Sequence, residues 1–210
     1  MDEHVAELVA QGRRSLELAP NRFLELLERG EVSAGRLRAL AGELHHLVAS
    51  DRRSFAYLAA RFPDPLFLAM AGAEEEALSL LPAFASAVGV GEKELRAYEP
   101  RPLAQAYPHF IVRTAVFGPR SAIPLALLVN VEESGGFYAR MADALQARYG
   151  FSDAAVAHFR YFAETPDEVL EQAAEVVSAG LATGDDPAEA LRAARMVHSY
   201  EAVFWATMLE

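Results

Sequence analysis

At 210 residues, 52% hydrophobic and 23% charged, the chain has ample material for one packed core and lies outside the disordered class. A formal net charge of -11 argues against a nucleic-acid backbone or an anionic membrane surface as partner, because both call for clustered positive charge. The absence of cysteine excludes disulfides, thiolate metal sites and cysteine nucleophiles together.

Helical periodicity dominates from one end to the other, and no run alternates as a strand would. Val5, Leu8, Val9 and Leu16 mark a first helix ended by Pro20, and a short helix from Phe23 to Leu27 stops at Gly30. Ser33 is placed to cap a long helix through Leu37, Leu40, Leu44, Leu47, Phe55 and Leu58, broken by Pro63-Asp64-Pro65. The next helix runs from about Leu66 to Val88, with a kink expected at Pro82, and Gly89-Val90-Gly91 closes it. After a short acidic stretch, Pro100 and Pro102 lead into a helix over Ala104 to Phe117, stopped by Gly118-Pro119. A long apolar helix from about Ala122 to Tyr149 ends at Gly150. Ser152 caps a helix carrying His158. Thr165 and Pro166 are expected at the N-cap and first position of the following one, and Asp186-Pro187 opens the last. No repeat or linker interrupts the chain, so one all-α domain of packed helices over residues 1–210 is expected. The acidic start, Met1-Asp2-Glu3-His4, and the lack of a long uncharged apolar run point to the cytoplasm.

The residues that could carry chemistry are polar ones inside apolar helices. Glu43 and His46 share a helix face at i,i+3, a spacing used as half a di-iron ligand set; the plainer reading pairs them with each other or with an arginine. No other histidine follows a glutamate by three residues. Glu74-Glu75-Glu76 reads as a solvated charged face. Asn130 and Glu132 follow a long apolar run and, two residues apart, cannot both face inward. Gly135-Gly136 within the same helix implies that a neighbouring helix or a ligand approaches the backbone there. The single lysine, Lys93, sits in a polar segment unsuited to Schiff-base chemistry. On the last helix Tyr200-Glu201-Ala202-Val203-Phe204-Trp205 sets a carboxylate one turn from the only tryptophan.

The order Asn21-Arg-Phe23, Gly30-Glu-Val-Ser33, Glu43-Leu-His-His46-Leu47 and Phe55 to Asp64 resembles the opening of the heme-oxygenase-like superfamily, nearest its TenA (thiaminase II) and PqqC branches. Ala106-Tyr107-Pro-His-Phe110 resembles a TenA tyrosine helix, and Tyr200-Glu201 with Phe204-Trp205 resembles the TenA C-terminal signature. The resemblance implies a heme-oxygenase-like (TenA-type) helical bundle, a dimer or tetramer in solution, and a central pocket for a small nitrogen heterocycle, with C–N hydrolysis as in thiamin and aminopyrimidine turnover. It further implies Glu43 as the residue gripping an amino-heterocycle, His46 in place of a tyrosine, Tyr107 against the ring, and Glu201 as general acid or base. Asn130, Tyr200, Phe204 and Trp205 complete the implied binding set.

The family's cysteine has no counterpart in Val129-Asn130-Val131-Glu132, which leaves Glu132 to activate water or leaves an inactive binding or regulatory homologue. An oxidase related to PqqC or heme oxygenase is the remaining alternative. Its flat anionic ligand would need Arg113, Arg160 and His158, and Phe162, Pro166 and Val169 stand where di-iron relatives carry ligands. His4 lies too near the N-terminus to serve as a proximal heme ligand. No metal or other cofactor is expected.

Overall fold

The computed structural model describes residues 1–16 and 20–210; the segment between Leu16 and the expected stop at Pro20 lies mostly outside the described residues. Among the described residues there are helices and connecting turns and no strand. The helices are α1 (Glu3–Arg14), α2 (Arg22–Glu28), α3 (Ala34–Arg61), α4 (Pro65–Ala87), α5 (Glu92–Arg96), α6 (Ala106–Phe117), α7 (Ala122–Tyr149), α8 (Asp153–Ala163), α9 (Asp167–Ala182) and α10 (Pro187–Thr207). Their starts follow cap chemistry: the side chains of Asp2, Asn21, Ser33, Asp64, Ser152 and Asp186 each accept a backbone N–H of the first turn. Gly150 ends α7 in the left-handed conformation (φ 69°), which a residue with a Cβ adopts only under strain.

α4 runs through Pro82 to Ala87, as one helix. One expectation shifts. Pro166 is the N-cap of α9, with ψ 138° and no capping side chain, so Thr165 is not a cap.

The bundle is organised around α7, which packs against α1, α2, α6, α8, α9 and α10, while α3 and α4 pair along their length. Apolar stripes gather into two clusters. One joins α2, the first half of α3, the second half of α4, α8 and the ends of α7 and α10, centred on Leu40, Phe84, Phe159 and Phe204. The other joins α1, the second half of α3, the start of α4, α6, α9 and the first halves of α7 and α10, centred on Phe67, Leu125, Val177 and Ala194. Tyr107 packs against both clusters. No helix among the described residues is long and apolar enough to cross a membrane.

Candidate functional site

Between the two clusters, side chains of α3, α4, α6, α7, α8 and α10 line a partly open cavity of about 190 Å³. Its apolar wall comes from Leu47, Phe55, Met70, Ile111, Ile123, Leu127, Phe162, Phe204 and Trp205. Set into that wall are three carboxyl groups, Asp51, Glu74 and Glu201, with Tyr107, Asn130, Ser134 and Tyr138. No lysine, arginine or histidine lines it.

Burial governs the electrostatics. Desolvation raises Asp51 well above the carboxylate range, and the charge of Glu74 adds to it. Desolvation likewise raises Glu74. Glu201 is raised by burial, an effect lowered again by the Trp205 indole, the charge of His198 and the Ser134 hydroxyl. Ser134 Oγ–H donates to Glu201 Oε1 at 3.4 Å. Tyr107 and Tyr138 are raised by burial and by these same carboxylates, so both stay phenols throughout the ordinary pH range.

The hydrogen-bond inventory of the wall is lopsided. Asn130 Nδ2 donates to Ala126 O (2.8 Å) and Ala194 O (3.4 Å), which leaves its Oδ1 buried without a donor. Asp51 Oδ1 and Glu74 Oε2 are also buried without one. Among the lining residues, the buried donor left without a partner is Trp205 Nε1–H, which acts on the Glu201 charge without reaching hydrogen-bond geometry. Buried polar groups in folded proteins normally have partners, so this concentration marks a place built for something else.

Of the residues expected in the site, Glu201, Tyr107, Asn130, Phe204 and Trp205 line the cavity. Glu43, His46, Glu132 and Tyr200 do not. Glu43 is fully buried, but its oxygens accept from Tyr98 Oη (2.9 Å), the Arg101 backbone N–H (2.8 Å) and Gln105 Nε2 (3.3 Å). His46 Nε2 bonds the Tyr98 carbonyl at 2.9 Å. The Tyr98 ring lies so close over Gly42 that a Cβ there would sit 2.2 Å from its Cγ. Gly42, Glu43 and His46 therefore hold the loop between α5 and α6, and Glu43 pairs with neither His46 nor an arginine side chain. Glu132 lies on the surface in an ion pair with Arg13 at 3.0 Å. Tyr200 packs on Phe110 outside the cavity, ring centroids 5.3 Å apart.

Glu74 corrects the reading of its acidic run: Glu75 and Glu76 are exposed, but Glu74 lines the cavity with Oε2 enclosed. A Cβ on Gly135 would meet Ala163 O at 2.7 Å, so the end of α8 is what approaches the backbone there, whereas Gly136 faces open space. Arg113 and Arg160 are exposed, Arg160 bonding Asp143 and Gln146. His158 is buried on Ala77 O at 2.8 Å, outside the cavity, with desolvation lowering it to about 4. No three His, Asp or Glu side chains among the described residues converge closely enough to hold a metal ion.

Asp51, Glu74, Ser134 and Tyr138 line the cavity without being expected there, and two of the four carry a signal in the sequence. Asp51 falls in the stripe Leu44, Val48, Asp51, Phe55, Leu58, and Glu74 in Phe67, Met70, Glu74, Ala77, Leu81, both at the spacing of a buried helix face.

The bundle that carries this acid-lined aromatic cavity has a heme oxygenase-like fold. The solved structure of a domain of unknown function with that fold from Shewanella denitrificans matches with TM-score 0.71 at 12% identity, over 99% of this chain and 88% of that one. A TenA family transcription regulator from Silicibacter sp. matches with TM-score 0.65 at 14% identity, over 96% of each chain. The TenA homologue from P. horikoshii matches with TM-score 0.65 at 14% identity, over 98% of this chain and 96% of that one. The chain belongs to the TENA/THI-4/PQQC family, whose family model matches residues 21–210. No curated protein matches it by sequence.

Proposed function

We propose that this TenA-like protein binds a small nitrogen heterocycle in the central cavity and hydrolyses a C–N bond of it, in chemistry related to thiamin and aminopyrimidine turnover. The observation that carries this reading is the Ser134–Glu201 contact inside a partly open aromatic cavity. At about 190 Å³ the space is below the roughly 300–1,000 Å³ of drug-sized pockets and suits a single ring. Tyr107, Tyr138 and Trp205 supply faces for it. Glu201, raised by burial above the usual carboxylate range, is suited to pass a proton in both directions.

In the ionised form Glu201 takes a proton from a water oriented by the Ser134 hydroxyl. The water oxygen bonds to the carbon bearing the leaving nitrogen, and the C–N bond breaks with its electron pair on nitrogen. Glu201 then returns the proton to that nitrogen. Water adds across the bond, giving C–OH and N–H, with no net proton gained or lost.

Incubating the protein with thiamin and aminopyrimidines tests the proposal. Turnover is expected in the wild type, with a loss of about 10²-fold or more in Glu201→Gln; absence of both binding and turnover overturns it.

A second reading, binding without turnover, is favoured by the length of the Ser134 contact, 3.4 Å against the usual 2.5–3.0 Å or so for O–H···O. It predicts ligand-induced stabilisation with no product. The similarity to a protein titled a transcription regulator does not extend this to direct DNA contact, given the net charge of -11. The oxidase alternative fits poorly, because Arg113 and Arg160 face solvent and no basic side chain among the described residues lines the cavity to balance an anionic ring. We also propose a homo-oligomer, dimer or tetramer: Phe117, Leu68, Tyr57 and Val112 are exposed apolar side chains suited to an interface, which sedimentation analysis would detect.

A further inference from the structure

We infer that Asp51 and Glu74 form a cation-reading subsite on the α3–α4 side of the cavity, which takes the N–H-rich edge of a planar cation such as an amidinium or a protonated aminoheterocycle. The inference rests on the cavity being a ligand site, as proposed above, but not on hydrolysis.

Three observations carry it. The two carboxyl groups come from paired helices and both line the cavity, and Asp51 is 3% exposed with Oδ1 lacking any donor. Glu74 Oε2 and Asn130 Oδ1 repeat the deficit, so the unfilled demand of the wall is for donors, several in one small volume. No basic side chain among the described residues lines the cavity, and Arg52, next to Asp51 in sequence, is turned to Glu75. A planar cation answers each point. Its paired N–H groups match two carboxyl oxygens, its charge replaces the proton that burial forces onto the pair, and its flat faces stack on Tyr107, Phe55 or Phe162. An aliphatic ammonium would satisfy the charge but leave the aromatic wall unused. An anion would face three carboxyl groups.

Benzamidine, benzamide and benzoate share one shape and differ in charge, and calorimetric titration at pH 7 compares them. Benzamidine is expected to bind, with benzamide weaker and benzoate undetectable. Asp51→Asn and Glu74→Gln, both folded by circular dichroism, should each weaken benzamidine about tenfold or more, as for loss of a charge-assisted hydrogen bond. Glu76→Gln, exposed on the same helix as Glu74 and outside the lining, should change it about threefold or less. Titrations in buffers of different ionisation enthalpy should show proton release on binding. Of the titratable groups near the pair, Tyr107 from α6, Tyr138 from α7 and Tyr161 from α8 stay protonated, and release that persists in the Asp51→Asn/Glu74→Gln double variant belongs to Glu201 on α10.

Equal binding of benzamidine and benzoate, no binding of benzamidine, or undiminished binding by the Asp51→Asn/Glu74→Gln double variant overturns the inference. The two proposals fail separately. Charge-selective binding without turnover of any heterocycle leaves the subsite standing and removes the hydrolase. Turnover indifferent to both substitutions does the reverse.

Discussion

Asp51 on α3 and Glu74 on α4 share one wall of the cavity, and the charge of Glu74 adds to burial in holding the Asp51 proton. Two acids from neighbouring helices thus meet where neither is comfortably ionised without a counter-charge.

This arrangement sets a pH dependence. Both groups are raised in the folded state, so the fold binds protons that the unfolded chain has released. Their contribution is fully present below the unfolded carboxyl value, about 4, and is lost as pH rises through the folded values. Asp51→Asn and Glu74→Gln should therefore melt higher than wild type at pH 9 and differ little at pH 4. For a chain of this size each 1 kcal/mol gained appears as about 2–4 °C. Melting curves of wild type and variants across that range give the answer; parallel curves would contradict the assignment.

His158 acts in the opposite direction. Its ring is neutral and fully buried, Nδ1–H donating to Ala77 O, and burial lowers it to about 4. The unfolded chain takes up a proton near 6.5 and the fold does not, so stability falls as pH drops from 6.5 toward 4, by about 3 kcal/mol in full. Ring-nitrogen NMR should find the Nδ1–H tautomer intact at pH 5. A protonated ring at that pH would refute it.

Gly135 and Gly136 are adjacent in sequence and should respond to alanine with opposite signs. A methyl on Gly135 meets the Ala163 carbonyl at 2.7 Å, a backbone atom that cannot step aside, so Gly135→Ala should destabilise by about 1–3 kcal/mol. Gly136 has open space and ordinary helical φ, so Gly136→Ala should stabilise by about 0.5–1 kcal/mol. Denaturant melts of the two single variants decide it.

Glu43 should prove a holding residue and not a ligand contact. Glu43→Leu leaves the Tyr98 hydroxyl and the Arg101 N–H without their acceptor, about 1–3 kcal/mol for each group that stays buried. Glu43→Gln keeps an oxygen there and should be far milder. Ligand affinity of Glu43→Gln is expected to match wild type, and a tenfold loss with unchanged stability would restore Glu43 to the site.

Helix boundaries were readable because caps and breakers are local: Ser33, Asp64, Gly150 and Asp186 act through backbone geometry within a few residues. The misplaced Pro166 shows the limit, since a proline fits both the N-cap and the position after it. Glu201 and Trp205 stood out as a carboxylate and a large ring one turn apart on the last helix. Asp51 and Glu74 sat in equally clear stripes but were masked by charged neighbours, Arg52-Arg53 and Glu75-Glu76. On a helix adjacent residues point about 100° apart, so a charged run says little about where its first member faces. Glu43 misled for the converse reason. It is inward-facing, but its partners come from a loop 55 to 62 residues further on, a closure no local pattern encodes.

The only tryptophan of the chain, Trp205, forms part of the cavity wall, with its indole N–H unpaired, Glu201 nearby and the Phe137 ring 4.5 Å away. A molecule entering the cavity alters the polarity around that one fluorophore and no other. Emission wavelength and quenching therefore report occupancy directly, without a label, and a compound collection can be screened by light alone.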